Sequence, residues 1–292
     1  MEIKELRKKI ELPMVPSEPT KVVPSSLILF GLPKCGKTTI CSQLPNSLII
    51  DVERGSDFVK AMKLQPPKGV GPVAIFKWLK EVAKEIKEAG NPYDFVIIDT
   101  ASYLDELSEW VGTYNYMNSV QGQSFNRVKD SFGKAIKGGK MLSPDDPDYD
   151  SVHNIGEGYG YRYSRSAMTE LLDSLKDLGK ICTIFVCHVK DKFVVSKQTN
   201  TEVRTMDLSL TGKVKEIYSR DVDAIGYIWN KGGEVNISFR GNEDKIGGMR
   251  GNNHIQGYEG PLDWNKIFKL EKNEREDERK GCKILKCWMG RS

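Results

Sequence analysis

The stretch Leu27-Ile-Leu-Phe-Gly-Leu-Pro-Lys-Cys-Gly-Lys-Thr-Thr-Ile40 decides the architecture. An apolar run ends at Phe30, Gly31 and Gly36 bracket four residues, and Lys37-Thr38 open a segment that can begin a helix. This is the G-x-x-x-x-G-K-[ST] pattern in a strand-loop-helix setting. Glycines let backbone amides turn inward around a phosphate, and a helix N-terminus presents free N–H groups to the same charge. Residues Gly31, Leu32, Pro33, Lys34, Cys35, Gly36, Lys37, Thr38 and Thr39 therefore form a candidate cradle for the phosphates of ATP. Lys37 is placed to reach the β- and γ-phosphates and Thr38 to ligate magnesium.

Working outward, short apolar runs alternate with amphipathic stretches, which is the pattern of a largely parallel α/β sheet. Strands are expected at 26–30, 47–51, 94–99, 181–187, 222–229 and 234–239. Val73, Phe76, Leu79, Val82 and Ile86 step by three and four ahead of Gly90, and Met168, Leu171, Leu172, Leu175 and Leu178 repeat the pattern ahead of Gly179. Both read as helices burying one face. Lys231-Gly232-Gly233 predicts a hairpin, hence an antiparallel pair at one sheet edge.

A P-loop needs an acidic partner for its metal at the end of a neighbouring buried strand. Phe95-Val-Ile-Ile-Asp99 supplies Asp99 in that place. Strand 47–51 runs into Asp51-Val52-Glu53, and Glu53 is the candidate to deprotonate a water beside the γ-phosphate.

With these motifs the chain resembles the RecA-like ATPases, and within them the phage AAA-type nucleotide-binding proteins that include the Sak-type single-strand annealing proteins. The resemblance spans roughly residues 25–255. It implies a RecA-like P-loop core in which Glu53 activates water, Asp99 sits in the metal strand with Thr100 behind it, and His188 senses the γ-phosphate. It further implies that the basic stretch after His188, holding Lys190, Lys192, Lys197 and Arg204, is a loop contacting single-stranded DNA. The insertion 113–160 occupies the place of another such loop, with Tyr114, Tyr116, Phe125, Arg127, Lys129, Lys134, Lys137 and Lys140 interleaving aromatics and charge. By position, Arg240 and Lys245, with Arg250 as a third choice, are the cations that would reach a neighbouring subunit's ATP in a homo-oligomeric ring or filament. A phage or host replication or recombination protein is a further possible partner. Two other readings stay open: a P-loop kinase for a small molecule, whose arginine-rich lid 113–160 does not supply, and an ATP-dependent loader or switch without enzymatic activity, docking through its tail.

The expected organisation is a lead at 1–24, an ATPase core at 25–262 and a charged tail at 263–292. Charged residues at 29% and hydrophobic ones at 39% suit a globular chain, and the net charge of +4 neither requires nor opposes a nucleic-acid partner. No apolar run approaches membrane-spanning length, and the N-terminal segment lacks the apolar core of a secretory signal, so a cytoplasmic protein is expected. Six cysteines at 35, 41, 182, 187, 282 and 287 are expected as reduced thiols, with Cys282 and Cys287 unsuited to zinc for want of a second ligand pair.

Overall fold

A computed structural model describes residues 14–195, 202–242, 245–250 and 254–270. The elements run β1 (Ser26–Gly31), α1 (Lys37–Cys41), β2 (Ser47–Asp51), β3 (Met62–Leu64), α2 (Pro72–Glu88), β4 (Phe95–Asp99), α3 (Ala101–Met117), α4 (Tyr161–Leu175), β5 (Cys182–Val195), β6 (Glu202–Leu208), α5 (Gly212–Asp221), β7 (Ala224–Lys231), β8 (Glu234–Ser238), β9 (Gly248–Met249), β10 (Glu259–Pro261) and α6 (Trp264–Phe268). Two single 3-10 turns, at Val152–Asn154 and Gly156–Gly158, precede α4.

The strands join in the order β10-β8-β7-β1-β5-β4-β2-β3. From β7 to β3 every pairing along that path is parallel, and β8, β9 and β10 add antiparallel pairings beside β7. The expected α/β fold, a mainly parallel sheet flanked by helices with an antiparallel hairpin toward one edge, is the one observed. Gly232 and Gly233 turn that hairpin with φ of 63° and 88°. Two successive positive φ angles are what a primed two-residue turn demands.

The central strands are apolar on both faces because helices cover both. Ile28, Phe30, Leu48, Ile50, Val96 and Ile98 face Leu79 of α2, Leu104 and Leu107 of α3 and Leu171 of α4. The alternate residues Leu27, Leu29, Ile49, Phe95 and Ile97 face Cys41 of α1 and Trp264, Ile267 and Phe268 of α6. Each fully buried aliphatic side chain contributes about 1.5–3 kcal/mol. The core therefore extends past residue 262, where the sequence reading ended it.

Several elements differ from expectation, among them these. α4 stops at Leu175, and Leu178 is buried beyond it, where its amide and that of Gly179 donate to Thr183 Oγ1. α3 occupies the first residues of the 113–160 insertion, its Gly112 lying so close to α4 that a Cβ would sit 2.5 Å from the Ser164 nitrogen. The segment after His188, expected as a loop, is a two-stranded ribbon: β5 continues through His188 to Val195 and pairs antiparallel with β6. Among the described residues no helix is long and apolar enough to cross a membrane.

Candidate functional site

Gly31 ends β1 where β7 passes so near that a Cβ would lie 2.4 Å from the Ile228 carbonyl oxygen. Gly36 caps α1 at φ 97°, a left-handed conformation that favours glycine. Between them the loop closes on itself: Lys37, only 7% exposed, donates from Nζ to the carbonyls of Gly31 at 2.9 Å and Leu32 at 2.8 Å. A buried ammonium requires such partners. α1 is five residues long, so its dipole adds little more than one turn's worth of free N–H groups.

Parallel pairing places the C-terminal ends of β1, β2 and β4 side by side with the middle of β5, with Gly31 opposite His188 and Asp51 opposite Asp99. A cavity of about 370 Å³ opens there, bordered by Lys34, Lys37, Thr38, Thr39, Asp51, Glu53, Asp99, Thr100 and His188, together with Phe58 and Val59. Thr38 Oγ1 donates to Asp99 Oδ2 at 2.6 Å. Burial pushes the Asp99 carboxyl above the ordinary carboxylate range, and Asp51 and Glu53 push the same way, against the Thr38 hydrogen bond and Lys37. Thr38 and Asp99 thus present two adjacent hard oxygens. Magnesium is held by one or two such protein ligands with water and substrate phosphates completing the octahedron, and this pair fits it. Among the described residues no group of three or more His, Cys, Asp or Glu could hold a metal by itself.

The two acids of Asp51-Val52-Glu53 have different surroundings. Asp51 is buried and accepts from the amides of Gly55 and Ser56, from Ser56 Oγ at 2.6 Å and from Gln65 Nε2 at 2.8 Å. Burial raises its pKa, but these donors outweigh burial and hold it below the usual value. Asp51 therefore shapes the turn after β2, and the Asp51/Ser56 pairing follows the local hydrogen-bonding habit of Asp in turns. Glu53 points elsewhere, accepting from Thr100 Oγ1 at 2.9 Å, with His188 Nε2 at 3.5 Å from its other oxygen. The latter is an electrostatic contact longer than a good hydrogen bond. His188 is fixed through its backbone amide, which donates to Ser102 Oγ at 2.9 Å, while its Nδ1 is buried without a hydrogen-bond partner among the described residues.

The remaining candidates lie apart from this cavity or beyond description. Lys190 is exposed on β5, Lys192 and Arg204 are β5 and β6 positions, and Lys197 falls outside the described residues. Lys245 pairs with Glu259 at 3.0 Å and sits over the rings of Tyr227 and Trp229, while Arg240 donates to the Gly257 carbonyl. Cys35, Cys41, Cys182 and Cys187 are free and buried, and burial raises the Cys35 thiol. Cys282 and Cys287 fall outside the described residues. Sequence reasoning passed over Ser56, Gln65, Phe58 and Ser102, whose neighbours are set by the tertiary fold.

The profile of the AAA domain family matches residues 24–250. The chain belongs to the AAA domain family. The matched span of this AAA domain holds β1 to β9, and α6 lies after it. Among solved structures the chain is similar to an ATPase from the type III secretion system of pathogenic bacteria, at 11% identity and a TM-score of 0.38 over 70% of this chain and 52% of that one. It spans about half of that ATPase's length. It is also similar to the RadB recombinase, at 10% identity and a TM-score of 0.38 over 85% of this chain and 90% of that one. No curated protein matches.

Proposed function

We propose that this AAA domain binds and hydrolyses ATP and couples turnover to single-stranded DNA in recombination or annealing. The supporting observation is that Lys37, Thr38, Asp99, Glu53, Thr100 and His188, from or just beyond four neighbouring strands, border one cavity. Lys37 neutralises the β- and γ-phosphates, and Thr38 and Asp99 hold magnesium, which when bound spreads the charge developing on the phosphate oxygens. Glu53 takes the proton from the attacking water, with Thr100 fixing the carboxylate's orientation.

His188 touches Glu53 and is itself a residue of β5, the strand that continues into the basic ribbon. A strand shared between the γ-phosphate side of the cavity and a DNA contact at Lys190, Lys192, Lys197 and Arg204 supports coupling of the two. In a homo-oligomeric ring or filament, a neighbour would present Arg240, which follows β8, since Lys245 is held in an ion pair by Glu259 within its own chain.

The test measures ATP turnover with and without a labelled oligonucleotide, together with binding across a salt series. Stimulation by single-stranded DNA is expected. Replacing Lys190 and Lys192 with Ala should lower the slope of log affinity against log salt by about 1.4, at roughly 0.7 per phosphate contact on a single strand. Turnover indifferent to oligonucleotide, together with absence of binding, would leave an ATPase and remove the DNA reading.

A further inference from the structure

A second cavity adjoins the first at Glu53, which borders both, and it is the larger of the two at about 570 Å³. Its walls come from two segments whose shape is set locally. After β2 the chain turns at Arg54 with φ 60°, and the Arg54 guanidinium donates to the Pro66 carbonyl, closing the loop between them. Pro66-Pro67 then hold the backbone extended ahead of α2, because each ring fixes its own φ and restricts the residue before it. Val52, Pro66, Pro67, Val70 and Ile75 line this side with apolar atoms. α3 supplies the opposite chemistry: Tyr103 and Glu106 stand three positions apart, so they share one helix face at the cavity.

The charges here are unevenly engaged. Asp105 accepts from the amide and hydroxyl of Thr211, and Glu109 accepts from Ser151 Oγ with His153 Nδ1 at 3.4 Å. Glu53 is held by Thr100 and faces His188. Glu106 forms no ion pair with any described residue. Burial raises its carboxyl above the ordinary range, and Glu53, Asp105 and Glu109 push the same way against His188. Burial, Glu106 and Glu53 raise the Tyr103 phenol in turn, which places these three side chains within electrostatic reach of one another. Of the two cations on the border, Arg54 is engaged by the Pro66 carbonyl and Lys68 is exposed. A positive charge seated between the two carboxylates would offset their repulsion, with a tyrosine ring and an apolar wall beside it.

We infer that this cavity takes an organic cation, a primary ammonium on an apolar body, with its charge at Glu53 and Glu106 and its body against Tyr103, Val70 and Ile75, and that its occupation slows hydrolysis. An opposite charge within about 4–6 Å favours the ionised carboxylate and so makes it a weaker base. The nucleotide, held in the other cavity, stays bound. Binding of the cation stands on the cavity alone, whereas its effect on turnover rests on Glu53 being the base, as proposed above.

The test titrates the full chain by calorimetry with phenethylammonium, its neutral analogue 2-phenylethanol and its anionic analogue phenylacetate. The ammonium should bind at millimolar concentration or below and the other two more weakly by about fivefold, the upper range for an exposed ion pair. Glu106→Gln should weaken the ammonium by about the same factor. Val70→Trp, which fills the cavity from its exposed rim, should weaken it as well. Magnesium with a non-hydrolysable ATP analogue should leave the affinity unchanged. In steady-state kinetics the ammonium should lower kcat with the KM for ATP unaltered. Equal affinity for the three probes, unchanged affinity in Glu106→Gln, or no binding of the ammonium overturns the inference. Displacement by the ATP analogue overturns it too, by placing the probe in the nucleotide cavity, and so does phenylacetate binding that Lys68→Ala weakens, by making this an anion site. Binding with turnover indifferent to the ammonium overturns the inhibitory half. Binding as expected by a chain that hydrolyses no ATP keeps the cation site and removes the hydrolysis reading.

Discussion

Thr100 Oγ1 donates to Glu53 Oε1 at 2.9 Å and also accepts from the Tyr103 amide at 3.3 Å, so one hydroxyl orients the acid beside the cavity and caps α3. The hydroxyl proton can go only to Glu53, because the other bond uses an oxygen lone pair. Thr100→Ala should slow ATP turnover about tenfold with little change in nucleotide affinity, and lower stability by about 1 kcal/mol through the lost cap. Thr100→Ser should recover both. Steady-state kinetics and thermal melts of the two variants check this, and a turnover loss as large in Ser as in Ala would show that the hydroxyl is not the positioning group.

Glu53→Gln keeps the shape that Thr100 holds but cannot accept a proton. Nucleotide binding should survive, while turnover falls by about 10²–10⁴-fold, the usual contribution of a positioned base. Nucleotide titration beside a phosphate-release assay separates the two; near wild-type release would place the base at another residue.

Lys37→Ala should abolish turnover and weaken ATP binding about 10–100-fold, since hydrogen bonds from a charged donor carry about 1.5–3 kcal/mol each. The loop itself should also loosen, because the Gly31 and Leu32 carbonyls lose their shared donor. Unchanged ATP affinity would remove the nucleotide assignment.

Asp51 provides a pH-dependent test that is independent of catalysis. Its folded pKa lies below the unfolded value because the bonds from Ser56, Gln65 and Gly55 outweigh the opposing effect of burial. The stabilisation is therefore present above the unfolded pKa of about 3.9 and is lost as pH falls through the folded pKa. Asp51→Asn should cost about 1–3 kcal/mol at neutral pH, by weakening or stranding those donors, and the difference from wild type should shrink as pH falls below about 4. Melting temperatures across a pH series read this directly, and a gap that widens in acid would reverse the assigned sign.

Trp264 is buried and its indole N–H donates to the Ile40 carbonyl at 2.9 Å, joining α6 to the helix that follows the phosphate loop. Trp264→Ala should destabilise by about 3–5 kcal/mol, as large-to-small core changes do. Trp264→Phe should cost less by retaining most of the packing. Chemical denaturation measures both, and an Ala variant as stable as wild type would show that residues beyond 262 are dispensable to the core.

The P-loop, the strands on either side of it and Asp99 are legible in the chain because each depends on local chemistry: an apolar run, glycines at a turn, an acid at a strand end. The β5/β6 ribbon was not, because its polar and basic residues read as loop, and only the partner strand reveals the extended backbone. α3 was hidden by Gly112, which is unfavourable in an isolated helix yet suits the close approach to Ser164 of α4. α6 was obscured by its charged flank, although Trp264, Ile267 and Phe268 are core residues.

The motif placed Asp51 and Glu53 together at the end of one strand and singled out Glu53 for the water, but it gave neither acid its partners. Their division of labour comes from the fold. The turn after β2 brings Ser56 and Gln65 onto Asp51, whereas parallel pairing of β2, β4 and β5 brings Thr100 and His188 to Glu53. Local patterns establish which residue types stand near a phosphate, because turns and strands are short-range. Both acids border the cavity, but which one is held by the turn and which one meets Thr100 and His188 depends on where the chain packs β2 against β4 and β5.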